Sequence, residues 1–87
     1  MIKRIRKRDG RMVDFHKEKI EQAIGKALRA TGIKDTKAAL ELAKQVVENA
    51  SERFMETVPG VEDIQDIVEK TLIAEGFAEA AKAYILY

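Results

Sequence analysis

The apolar residues of this chain change their spacing once, just after Phe15, and that change limits the folds open to it. Before it, Ile2 and Ile5 alternate loosely with Lys3, Arg4, Arg6 and Lys7, and Arg8-Asp9-Gly10-Arg11 leads into Met12-Val13-Asp14-Phe15. Asp-Gly between two short β-prone runs is a strong hairpin signal, because a type I′ turn needs positive φ, which glycine adopts without steric cost. Strands are predicted over about 2–7 and 11–15. From Ile20 onward the spacing becomes helical, with Ile20, Ala23, Ile24, Ala27 and Leu28 on one face. Thr31-Gly32 ends that helix, and Asp35-Thr36 is a plausible cap for the next. Its stripe of Leu40, Ala43, Val46, Ala50 and Phe54 runs to about Glu56. Val58-Pro59-Gly60 breaks the pattern and is available as a short third strand. A third helix, Val61 to Glu75, turns Ile64, Ile67, Val68 and Leu72 inward and carries Glu62, Asp63 and Asp66 near its N-terminus, where the macrodipole favours anions. Gly76 is a natural stop, and an alanine-rich fourth helix spans Phe77 to Tyr87. The expected order is a hairpin and then four helices.

The chain has 87 residues, room for one domain spanning 1–87. It contains no cysteine and one histidine, which excludes a disulfide framework, a thiol nucleophile and any metal site needing cysteine or two histidines. No apolar run approaches the ~18 residues of a membrane span, and no signal-peptide core follows Met1. A cytoplasmic protein is expected. The formal net charge of +1 conceals an asymmetry. Residues 1–19 hold eight basic and three acidic side chains, net +5; residues 20–87 hold eight basic and twelve acidic, net −4. A positive end on an acidic body points to an anionic partner, or to a charge-protected edge strand.

Most enzyme templates fail. Ser51, the one serine, lies within a helix, and neither a dinucleotide-binding nor a Walker glycine pattern occurs. Glu62, Asp63, Asp66 and Glu69 read as a solvated helix face. The basic hairpin is more informative. Lys7 and Arg8 flank the turn and Lys19 opens the first helix, so three cations can converge on a di- or triphosphate. Backbone N–H groups at that helix N-terminus add to the attraction. Ile5 or Ile20 can wall a base.

Lys7-Arg8-Asp9-Gly10-Arg11, then Val13-x-Phe15, Lys19-Ile20 and Ala23-Ile24, resembles the ATP-cone signature. Val61-Glu62-x-Ile64-Gln65-Asp66-x-Val68-Glu69 and the closing Ala81-Lys82-Ala83-Tyr84-Ile85-Leu86-Tyr87 look like the same domain, so the resemblance covers essentially the whole chain. It implies an α+β, mainly α fold: a four-helix bundle capped by a small three-stranded mixed β-sheet that begins with the N-terminal hairpin. It also implies an allosteric regulatory domain without catalytic residues. The ligand would be ATP or dATP with magnesium, and the partner the catalytic domain or subunits of a ribonucleotide reductase, controlled through nucleotide-dependent assembly. By position, Lys7, Arg8 and Lys19 match the family's phosphate contacts. Ile5 and Ile20 match apolar neighbours of the nucleotide, and Val61 and Gln65 match positions near base and ribose.

Two residues depart from the family pattern. His16 stands where Asp or Asn commonly caps the first helix; it is a poorer cap but can stack on a base or donate a hydrogen bond. Val13 replaces an acidic residue found in some members. Three other readings stay open: the nucleotide-sensing domain of a repressor of reductase genes, a basic-hairpin nucleic-acid-binding module, and a helical assembly module with no ligand. Sparse aromatics and the lack of a basic recognition helix count against direct nucleic-acid binding. No membrane partner is expected.

Overall fold

The computed structural model describes residues 2–86, with the side chain of Leu86 left out of the description. The final residue of the expected fourth helix, Tyr87, lies outside the described residues. Two strands, β1 (Arg4–Arg6) and β2 (Met12–Asp14), precede four helices: α1 (Lys17–Ala30), α2 (Thr36–Arg53), α3 (Val61–Ala74) and α4 (Ala78–Leu86).

The strands pair antiparallel, with Arg4 opposite Asp14, Ile5 opposite Val13 and Arg6 opposite Met12. Ile5 and Val13 are half-buried, while Arg4, Arg6, Met12 and Asp14 point to solvent, the period-two alternation of a one-sided ribbon. The turn differs from the expected type I′. The Gly10 N–H donates to the Lys7 carbonyl at 2.9 Å and the Lys7 N–H to the Arg11 carbonyl at 2.8 Å, leaving Arg8, Asp9 and Gly10 in the loop. Gly10 has φ +91°, and among the described residues no non-glycine residue has positive φ. A three-residue loop of this kind needs only one left-handed residue, so Asp9 escapes the strain that a two-residue turn would impose. Asp9 instead braces the loop: its Oδ1 accepts from the Arg11 N–H at 3.0 Å and its Oδ2 from Arg11 Nε at 2.7 Å.

Among the described residues the sheet has two strands, and the Val58-Pro59-Gly60 segment does not form the expected third. The Val58–Gly60 segment makes one parallel bridge, Arg6 to Gly60, in which the Arg6 N–H donates to the Pro59 carbonyl at 2.9 Å. Pro59 has no N–H to extend a ladder, and Gly60 already serves as the N-cap of α3. Asp63 Oδ2 accepts from the Gly60 N–H at 2.8 Å, which turns the chain into the helix. That single bridge fixes the hairpin beside the start of α3.

Helix ends follow their local chemistry. Asp35 caps α2 by accepting from the Ala38 N–H at 3.0 Å. Gly32 and Gly76, with φ +85° and +90°, take the left-handed turns after α1 and α3. Helix α1 packs against α2 and α4, and α3 against the same two. Ile24, Leu28, Val46, Val68 and Leu72 are fully buried in the shared core, and Ala27, Ala43, Ala50, Ala80 and Ala81 let the helices approach closely. The stripe on α2 is rotated from the expected one: Ala39, Leu42, Ala43, Val46 and Ala50 are buried, whereas Leu40 is 37% exposed. Among the described residues no buried side-chain nitrogen or oxygen lacks a partner, and no helix is long and apolar enough to cross a membrane.

Candidate functional site

The hairpin bridge and the packing of α4 between α1 and α3 leave a cleft of about 700 Å³, large enough for a small organic ligand. Helix periodicity builds its walls. Lys19, Gln22, Ala23 and Lys26 recur at three- and four-residue steps on α1, and Glu62, Gln65, Asp66 and Glu69 do the same on α3. Tyr84 and Ile85 come from α4, and Arg8 reaches in from the hairpin loop.

The walls differ in sign. The hairpin and α1 supply three cations, Arg8, Lys19 and Lys26; α3 supplies three carboxylates, Glu62, Asp66 and Glu69. Arg8 Nε lies 3.3 Å from Glu62 Oε1, joining the walls at the hairpin end, and both side chains are mostly exposed. Asp66 pairs at 3.1 Å with Lys70, one turn further along α3. Lys19, Lys26 and Glu69 make no ion pair among the described residues. An exposed pair such as Arg8–Glu62 is worth about 0–1 kcal/mol, so a polyanion can replace Glu62 on Arg8 at small cost. A polyanion in the cleft would be attracted by the α1 wall and repelled by the α3 wall, whose carboxylates are suited to accept from hydroxyl or amino groups.

Three of the eight sequence-predicted residues, Arg8, Lys19 and Gln65, come together in this cleft. The other five do not line it. Lys7 is exposed at the start of the hairpin loop. Ile5 is half-buried under the hairpin, Val61 is half-buried at the first position of α3, and Ile20 belongs to the core at 9% exposure. His16 occupies the N-cap position of α1 without a side-chain capping bond, and its Nδ1 lies 3.4 Å from Glu18 Oε1. The carboxylates Glu62, Asp66 and Glu69, read from sequence as a solvated face, instead form a wall of the cleft. Sequence reasoning also missed Gln22, Lys26, Tyr84 and Ile85. Gln22 and Lys26 were within reach, since they stand three and seven residues after Lys19 on one helix face. Tyr84 and Ile85 stand in the closing motif of the family resemblance, but nothing in the sequence placed them in the cleft.

Two groups have displaced acidities. The Arg11 backbone N–H, and then its guanidinium, hold the Asp9 carboxyl below the ordinary carboxylate value. Burial pushes the Tyr84 phenol above its usual value.

A family model described as the ATP cone domain matches residues 3–87. The chain belongs to the ATP cone family. This ATP cone is 41% identical over 92 aligned positions to the vitamin B12-dependent ribonucleoside-diphosphate reductase of Thermoplasma acidophilum, covering all of this chain and 12% of that protein. It is 39% identical to the ribonucleoside-diphosphate reductase subunit alpha of Chlamydia pneumoniae, covering 93% of this chain and 8% of that one. It is 32% identical to the anaerobic ribonucleoside-triphosphate reductase of Salmonella typhimurium, again over the full chain and 12% of the relative. The chain thus spans about an eighth or less of the curated relatives it resembles. These relatives include B12-dependent and anaerobic reductases.

Proposed function

We propose that this ATP cone binds ATP or dATP and passes the identity of the nucleotide to the catalytic part of a ribonucleotide reductase. The observation that carries the reading is the cleft of a recognised ATP cone in which Arg8, Lys19 and Lys26 face one another's ligand space without a full set of carboxylate partners. Arg8 and Lys19 take the phosphates, and Gln65 offers both a donor and an acceptor to the base edge or ribose. Lys7, Ile5, Ile20, Val61 and His16 border the hairpin end.

Magnesium arrives with the triphosphate. The ion would be carried on phosphate oxygens and water, its ordinary company with nucleotides. Regulation follows from differential affinity: ATP and dATP must bind two assembly states unequally, since equal binding shifts nothing. One hydrogen bond to the 2′-hydroxyl supplies about 1 kcal/mol, so strong discrimination draws on an interface between subunits. The reductases among the relatives favour this reading over a repressor domain.

Calorimetric titration with ATP, dATP and GTP in magnesium tests it, with Lys19→Ala as the control. Adenine-selective heat that Lys19→Ala abolishes is expected. Equal heats for all three nucleotides, or none in a folded chain, would overturn it. Salt-steep binding of single-stranded DNA with no preference among nucleotides would instead establish the nucleic-acid module.

A further inference from the structure

The three cations beside the hairpin turn have different occupations. Arg11 is taken by Asp9, whose carboxylate accepts from both its backbone N–H and its Nε. Lys7 makes no ion pair among the described residues and does not line the cleft. Arg8 does line it, with its Nε 3.3 Å from Glu62 Oε1. The carboxylates of α3 divide in the same way. Asp63 turns back to the Gly60 N–H and Asp66 to Lys70, so Glu62 is the one whose partner stands on another element. The other ion pairs among the described residues join side chains two to four positions apart in sequence, whereas Arg8 and Glu62 are brought together only by the fold. This pair is also loose. It has one contact through Nε, without the bidentate geometry of strong arginine–carboxylate pairs, and both side chains are mostly exposed. Glu62 stands in the first turn of α3, where the macrodipole stabilises a carboxylate that has lost its partner.

We propose that Glu62 is a built-in competitor for the ligand's phosphates, holding Arg8 while the cleft is empty and surrendering it when a polyphosphate binds. The proposal rests on the reading of this cleft as the nucleotide site. Each binding event then breaks an existing pair, so the measured affinity is lower than the contacts at Arg8 and Lys19 alone provide. The competition also depends on ligand length. An anion that sits on Lys19 without reaching Arg8 leaves the pair intact, whereas one that spans both cations must displace Glu62. On displacement, the side-chain link between the hairpin and α3 is exchanged for a link from the hairpin through the ligand to α1.

The test is a double-mutant cycle. Wild type, Glu62→Gln, Arg8→Gln and the double variant are titrated with ATP and with inorganic tripolyphosphate at fixed ionic strength, after circular dichroism has established each fold. Glu62→Gln should tighten both ligands about two- to fivefold, the range open to an exposed pair. The same substitution should have little effect when Arg8 is already glutamine. Weaker binding by Glu62→Gln would make Glu62 an aid to the ligand, and equal tightening in both backgrounds would reduce it to general repulsion; either overturns the proposal. Should Arg8→Gln abolish measurable binding, the Arg8 Nε–H resonance decides. It should differ between wild type and Glu62→Gln in the empty protein and coincide once both are saturated with tripolyphosphate. A difference that persists at saturation refutes displacement. Tripolyphosphate that follows this pattern without preferential binding of ATP over GTP would defeat the adenine-nucleotide reading and leave the competitor in place. No binding of either ligand by any variant would defeat both.

Discussion

Leu72 in α3 has no surface in contact with water, whereas Arg8 in the hairpin loop leaves 70% of its side chain exposed. Around Leu72 the helices interlock through aliphatic and alanine side chains, and their stability comes from area removed from water. Around Arg8 the chain is held by short hydrogen bonds within one turn, a three-pair ladder, one bridge to Gly60 and an exposed ion pair to Glu62, with Ile5 and Phe15 packed against the core from below. The helical body holds the shape, and the hairpin and cleft walls hold the charge. Recognition in this domain is therefore separable from stability: residues on one side can be changed without disabling the other.

The strongest way to break that separation is to damage the body. Leu72→Ala should lower unfolding free energy by about 2–5 kcal/mol, the usual cost of a buried leucine cavity, measured by urea denaturation. If the regions are separable, Arg8→Ala should leave the denaturation midpoint nearly unchanged. A smaller effect is expected at Asp35, whose carboxylate caps α2; Asp35→Ala should cost about 1 kcal/mol in the same assay. Gly10→Ala is a sharper probe. Nothing lies within 4 Å of an added Cβ, so only the positive φ opposes it, and the penalty of about 1 kcal/mol should appear as hairpin loosening by NMR rather than as a changed helix signal. Gly25→Ala should act in the opposite direction. Its Cβ would meet the flexible end of Arg29 at 3.2 Å, and relief of glycine's helix penalty should raise stability by up to about 1 kcal/mol.

The smallest effect concerns acid. Asp9 is more acidic in the folded hairpin than in the open chain. Its contribution is therefore complete above the ordinary carboxylate value and is lost as pH falls through the depressed one. Amide shifts of Gly10 and Arg11 should move in that acid range, and Asp9→Asn should abolish the movement. Tyr84 has the reverse sign: its raised value gives a contribution present below the ordinary phenol value and lost as pH rises through the elevated one.

Much of this division was legible in the sequence. Asp35, Gly32 and Gly76 carry their own conformational instructions, and the stripes of α1 and α3 have few apolar residues off the core face. In α2 the apolar residues spread around the helix, and Leu40 and Leu42 compete for the same role. Only the position of α1 and α3 decides for Leu42. The third strand failed at Pro59, where β-compatible composition did not reveal that Gly60 would be taken by a helix cap. For the cleft, Arg8 and Lys19 are visible because they adjoin a turn and a helix start. Tyr84 sits 65 residues away in sequence from Lys19, and only packing brings α4 beside them.

Because Pro59 offers a carbonyl and no N–H, the backbone of the hairpin is fastened to the lead-in of α3 through the Arg6 amide proton, beside the exposed Arg8–Glu62 ion pair. Each opening of that contact makes the proton available to solvent deuterium. The exchange rate of one backbone position thus becomes a gauge of how firmly the charged loop is moored, readable while the helices remain fully protected.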